Sequence, residues 1–270
     1  MSNTVSRPEN LPDFQSPPLN EVVIGIQFTP PKLYQQIYAG DIWKLFRADY
    51  PIVQEQMPLP PTFETFGLPS SPASQLNFIT GASHDRFWFL RPDGDELIQF
   101  QQDRLHHNWR KVGDETNEYP RFEVMINCFH NELKQLQRYL GTLTPQTLVV
   151  NQYEISYINH IELPKDTTPS DWLRFIVFNK YIPDDFSVSF REITRGPNGE
   201  PQGRFICETV TGIKPDGKKI ISMTLTVRGA PAEPNIDSAI ESLTNGRGLI
   251  VTRFTELTTD IAHKKWGRIK

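Results

Sequence analysis

The run Leu148–Leu163, LVVNQYEISYINHIEL, constrains this chain more than any other stretch. Tyr153, Ile155, Tyr157, Asn159 and Ile161 share one side of an extended backbone; Gln152, Glu154, Ser156, Ile158 and His160 share the other. A side-chain period of two over this length describes a long strand with one apolar face and one largely polar face. Such a strand needs a sheet whose apolar face is covered, and the chain supplies covers. Phe122, Met125, Ile126, Phe129, Leu133, Leu136 and Leu140 form a helical stripe over Tyr119–Leu140, with Gly141 as its stop. Asn235–Trp266 reads as helix too, broken at Asn245-Gly-Arg-Gly248.

The rest of the chain repeats this arrangement. Glu21–Phe28 carries Val22, Ile24, Ile26 and Phe28 on one face and Val23, Gly25 and Gln27 on the other, the pattern of a central strand. A helix over about Gly40–Tyr50 follows, closed by Pro51, then an extended Met57–Pro61 connector, a short strand at Thr62–Leu68 and a loop at Pro69–Ser74. Arg86–Leu90 and Glu96–Arg110 form a hairpin about Asp93-Gly94, its second arm polar on both faces and expected to run into solvent or along an exposed sheet face. After Leu163 come a capped helix at Asp171–Tyr181 and strands at Phe186–Ile193, Arg204–Thr211 and Lys219–Arg228, the last two joined at Asp216-Gly217. The order of elements predicts an α+β fold of two tandem β-α-β-β-β-α pseudo-repeats, antiparallel sheets with helices packed on one face, in the manner of TATA-binding-protein-like or helix-grip architectures. The expected boundaries are a mobile arm at 1–17 and repeats at 18–145 and 146–270.

A net charge of −4 gives no basic field of the kind phosphate-backbone binding requires, which disfavours nucleic acid. No apolar run approaches a membrane span, and the N-terminal residues lack the apolar core of a secretory signal, so a cytoplasmic protein is expected. Cys128 and Cys207 read as buried, reduced thiols.

Several short motifs stand out together: Pro17–Val23 with Ile26-Gln27-Phe28, Glu96–Gln99, Asp103-Arg104 with Asn108-Trp109-Arg110, Tyr119–Glu123, Tyr157–Ile161 and Trp266-Gly267-Arg268. The set resembles a sporadically distributed bacterial and archaeal protein family of unknown function. The resemblance implies a prokaryotic accessory protein of patchy occurrence, as in phage defence or toxin neutralisation, and it carries no catalytic residues.

No nucleophile elbow, zinc spacing or phosphate loop is present, so neither metal nor cofactor is expected. His106 and His107 point to opposite faces, and a metal would need His84 or His130 as well. Arg104, His106, Asn108, Trp109 and Arg110 form a candidate partner-binding patch, since Arg and Trp anchor interfaces. Glu154, His160 and Glu208 form a candidate ligand site in the sheet cradle. The expected function is a non-enzymatic binding protein engaging a protein partner. A small-ligand or hydrolytic site in the cradle is the alternative, and nucleic-acid binding a third.

Overall fold

A computed structural model describes residues 8–67, 85–143, 145, 147–179, 181, 183–196 and 198–270. The strands are β1 (Leu19–Phe28), β2 (Ile52–Gln56), β3 (Arg86–Leu90), β4 (Glu96–Gln101), β5 (Arg104–Arg110), β6 (Val150–Glu162), β7 (Ser187–Arg195), β8 (Pro201–Ile213) and β9 (Lys219–Gly229). The helices among the described residues are α1 (Ala39–Phe46), α2 (Phe122–Leu143), α3 (Ile236–Leu257) and α4 (Asp260–Lys265). The nine strands of the described residues join one antiparallel sheet in the order β2-β3-β4-β5-β1-β6-β9-β8-β7. The stretch that constrains the sequence is therefore at its centre: β6 pairs with β1 on one side and β9 on the other.

The alternation of β1, β6 and β9 decides which face the helices cover. Val22, Ile24 and Ile26 of β1, Ile155 and Ile161 of β6 and Met223 and Leu225 of β9 are buried on one face. There they pack with Phe129, Leu133 and Leu136 of α2 and Leu243 and Ile250 of α3 in one continuous core. Each fully buried aliphatic or aromatic side chain contributes about 1.5–3 kcal/mol relative to exposure. Among the described residues, the opposite face carries no helix. The register aligns Arg104, Gln27, Gln152 and, next along the sheet, His106, Gly25, Glu154, Arg228 and Arg204 on it.

Several local expectations change. The arm read as one strand over Glu96–Arg110 folds back at Gln102-Asp103 into β4 and β5. No glycine marks this turn. The Asp103 carboxylate holds it by accepting from Gln101 Nε2 (3.0 Å) and Arg104 Nε (3.0 Å), while its carbonyl accepts from the Phe28 amide (2.7 Å). Nor does the arm run into solvent: every residue of β4 and most of β5 are buried. The strand expected at Thr62–Leu68 is absent from its described part, and β2 forms at 52–56 instead. The expected loop at 69–74 lies outside the described residues.

The helix expected at Asp171–Tyr181 is a single 3-10 turn at Pro169–Asp171. The cap is real, Asp171 accepting from the Thr168 amide (2.7 Å), but Leu173 then bridges Thr258 and Arg174 N binds Leu257 O (2.9 Å). Tertiary backbone pairing wins over local helix propensity there. Conversely, Asn245–Gly248 does not break α3. A Cβ at Gly246 would lie 3.0 Å from Ile155 and 3.2 Å from Val227, so the glycine is there for close approach to the sheet. The break falls at Thr258-Thr259, where Thr259 caps α4. Helix α2 likewise runs past Gly141 to Leu143.

Residues 8–17, read as a mobile arm, lie along the C-terminal end. Phe14 bridges Arg268 and its ring sits 5.6 Å from that of Phe254. Cys207 is buried, whereas Cys128 is only partly so; both are free thiols. No described helix is long and apolar enough to cross a membrane.

Candidate functional site

Residues 57–67 cross the open face of the sheet as a strap. Pro58, Pro60 and Pro61 lack amide hydrogens and cannot join a ladder, so the strap is held mainly by side chains of the strands beneath. Gln101 acts as a surrogate backbone, accepting from Leu59 N (2.8 Å) and donating to Leu59 O (3.0 Å). Gln27 Oε1 accepts from Thr62 N (3.1 Å), and Arg104 Nη2 donates to Pro60 O (3.1 Å). Further along, the buried Glu64 carboxylate binds Arg204 Nε (2.7 Å) and Arg228 Nη2 (2.8 Å).

Between strap and sheet lies a cleft of about 270 Å³, lined among others by Gln27, Arg104, His106, Gln152, Glu154 and Arg228. Its charges are matched. Arg104 pairs with Asp103 at 3.0 Å, and Arg228 pairs with Glu154 at 2.9 Å as well as with Glu64. The His106 ring lies across Gly25, where any Cβ would collide with it. Burial, followed by the guanidinium groups of Arg104 and Arg86, pushes the His106 pKa down to about 3. His106 is therefore a neutral imidazole, presenting one donor and one acceptor. Gln152 is 7% exposed, and its Oε1 has no hydrogen-bond partner. It also lines a second cleft of about 310 Å³ beside Glu64 and Phe66, so it stands where the two spaces meet under the strap.

Arg104, His106 and Glu154, which the sequence reading placed in two separate sites, thus come together in one. The partner patch on β5 does not form a surface. Asn108 is 2% exposed, donating to Glu21 Oε1 (2.6 Å) and accepting from Gln99 (2.8 Å). Trp109 is 1% exposed on the helix face, its ring 5.1 Å from Tyr119. Arg110 stays partly accessible, donating to Gly94 O (3.0 Å) and lying over Trp88. Within the cradle set, Glu154, His160 and Glu208 share the open face without converging. His160 lies six positions beyond Glu154 along β6, roughly 20 Å of extended chain. His160 lines another cleft with Lys214 and Trp266, its pKa lowered by burial and then by Lys214. Glu208 is exposed opposite Thr224. Gln152 and Arg228 were missed as site residues, although their face was legible: Gln152 is two positions from Glu154, and Arg228 ends the outward row of β9.

A second polar cluster sits on the helix face. His107 Nδ1 is 3.0 Å from both Glu132 oxygens, and Glu96, itself paired with Arg91 at 3.0 Å, is 3.6 Å from Nε2. Burial alone would depress this imidazole; Glu132 and Glu96 outweigh it and push the pKa up to about 9. His107 is fully buried, which makes this a structural ion cluster. Among the described residues no group of three or more His, Cys, Asp and Glu side chains is placed to hold a metal, and His84 lies outside them. No protein-family model, curated protein or solved structure matches the chain.

Proposed function

We propose that this protein is a binding protein, and that its site is the cleft between the strap and the open sheet face. The ligand class is a small neutral polar molecule carrying both donors and acceptors. The orphaned Gln152 Oε1 carries this reading. An unsatisfied buried acceptor costs about 1–3 kcal/mol, and a leucine of similar shape would avoid that cost. A residue that lowers stability at the wall of an open cleft is one kept for what enters the cleft. The two arginines that line the cleft, Arg104 and Arg228, are each already paired with a carboxylate, and His106 is neutral, so neither lining guanidinium is left over for an anion.

The test is a calorimetric screen of hexoses, nucleosides and primary amides against the wild type and Gln152→Leu. Saturable binding to the wild type, weakened at least tenfold in the variant, is expected. No binding from any neutral class, or equal binding to both proteins, sinks the reading.

A protein partner remains a second reading, but at the sheet edge rather than along β5. Ile52 and Val53 of β2 are 42% and 43% exposed, and nearby Trp88 is flanked by Arg86 and Arg110 at 5.7 and 5.5 Å. Exposed apolar residues on an edge strand suit strand addition by a partner. Capture of a host protein that persists unchanged in Val53→Lys would remove it.

We also read the two halves as pseudo-repeats meeting at the β1–β6 seam. On that reading β5 corresponds to β9, β4 to β8, β3 to β7 and α2 to α3, a matching supported by the strand order. The Asp93-Gly94 turn then corresponds to the β7–β8 turn, not to Asp216-Gly217 as the turn chemistry alone suggests. The likeness to TATA-binding-protein-like or helix-grip cradles is one of layout. Co-expressed halves 1–145 and 146–270 should associate; failure to do so in soluble form would count against two self-contained units.

A further inference from the structure

On the helix face, far from the strap, a small cavity of about 70 Å³ lies where α2, α3 and the central strands meet. Its walls are mostly apolar, Leu19, Phe122, Leu225 and Ile250 among them, and the N-terminal segment contributes Pro12, Asp13, Phe14 and Pro17. Arg247 of α3 lines it while only 3% exposed. One edge of the guanidinium is used: Nη2 binds Glu123 at 3.0 Å, and Cζ lies 5.4 Å from the centre of the Phe122 ring. Its Nε–H has no partner. Asn159, also at the wall, donates its Nδ2 to the carbonyls of Tyr157 and Met223, at 3.4 and 3.2 Å. What its amide keeps for the cavity is the acceptor Oδ1.

This arrangement is a poor solution to helix packing. The arginine is flanked by Gly246 and Gly248, both weak helix formers, and it brings a charge into an aliphatic interior. Gly246 is explained by its approach to Ile155 and Val227, whereas Arg247 with an idle donor is not. An apolar pocket with a few convergent polar groups is the usual form of a small-molecule site. Glu123 already neutralises Arg247, so a carboxylate ligand would bury a second negative charge beside it.

We propose that this cavity is a second binding site, for a small neutral carbonyl compound such as a short aliphatic amide. The carbonyl oxygen accepts from Arg247 Nε, the apolar body fills the space beneath Phe14, and the amide nitrogen faces Asn159. The site is separate from the cleft under the strap and does not depend on it.

Propionamide and propionate, matched in shape and different in charge, are the probes. Each is titrated into the full chain while the Arg247 Nε–H resonance is followed by NMR. Propionamide should shift that resonance saturably, with a Kd on the order of 1 mM for so few heavy atoms. Propionate should bind at least tenfold more weakly. Val251→Phe, which fills the cavity from α3, should abolish the response while the remaining spectrum stays native. Arg247→Met, read through backbone amides around Phe14 and Asn159, should weaken propionamide and level the two probes. The proposal is overturned by the absence of any saturable shift with the Nε–H exchanging magnetisation only with a trapped water. It is equally overturned by tighter binding of propionate, or by unchanged binding in Val251→Phe.

Discussion

His106 and His107 are neighbours on β5, yet the two faces of the sheet treat them oppositely. Burial depresses the pKa of both. Beneath the strap, His106 meets Arg104 and Arg86 and stays neutral down to about pH 3. Beneath α2, His107 meets Glu132 and Glu96 and stays protonated up to about pH 9. The difference lies in what covers each face. An amphipathic helix buries a wide aliphatic area, and a charge admitted there must be closely paired. The narrow strap covers the other face through hydrogen bonds, which leaves a polar atom such as Gln152 Oε1 buried beside the cleft without a partner.

The comparison breaks most sharply at tryptophan. Trp109 lies in the helix-face core, so Trp109→Ala should cost about 3–5 kcal/mol in urea unfolding. Trp88, on the opposite face and only partly buried, should cost less than about half of that when truncated. Equal losses would mean that the strap face is packed as firmly as the helix face.

The pH dependence of stability sharpens the contrast. His107 has a folded pKa raised from 6.5 to about 9. Its contribution is thus fully present below pH 6.5 and is lost as pH rises through 9, on the order of 3 kcal/mol. His106 has a depressed folded pKa, so it lowers stability as pH falls from 6.5 towards 3, where only the unfolded chain takes up the proton. Urea midpoints across pH 4–10 should flatten on the alkaline side in His107→Gln and on the acid side in His106→Gln. A His107→Gln profile that keeps the wild-type alkaline slope would contradict the ion cluster.

The glycines of α3 give a smaller, signed effect. Gly246→Ala should destabilise by about 1–2 kcal/mol, since the new methyl presses on Ile155 and Val227 harder than helix propensity favours it. Gly248→Ala meets nothing nearer than Leu11 at 3.9 Å and should stabilise by up to about 1 kcal/mol. Smallest of all, Gln152→Leu should be neutral or stabilising by about 1 kcal/mol, whereas Gln101→Leu, which frees both polar groups of Leu59, should cost about 1–2 kcal/mol. Thermal unfolding of the two variants separates an acceptor held for a ligand from one held for the strap.

How much of this was legible beforehand varies with the element. The central strands were readable because alternation in Leu148–Leu163 and Lys219–Arg228 marks one face to bury, and because Glu21–Phe28 carries apolar residues on both faces. The stripe of α2 was readable for the same reason at a helical period. In β4 and β5 the pattern failed, because polar side chains there are buried by pairing with one another: Gln99 with Asn108, Asn108 with Glu21, Gln101 and Arg104 with Asp103. Their hydrophilicity read as exposure. The members Arg104, His106 and Glu154 of the candidate cleft were visible as residue types, but their meeting depends on the β5-β1-β6 register.

The sequence by itself determined the α+β class, the long central strand and which side of it carries the core, since a side-chain period specifies a face regardless of what packs on it. Only the tertiary structure decided what lies on the other face. It sent the proline-rich connector across the polar side, drew residues 172–174 out of a capped helix, and carried α3 through two glycines. Each outcome turned on contacts between residues distant in the chain. Leu148–Leu163 shows both: its alternation placed Tyr157 towards the core and Gln152 away from it, and only the strap made Gln152 part of a cleft.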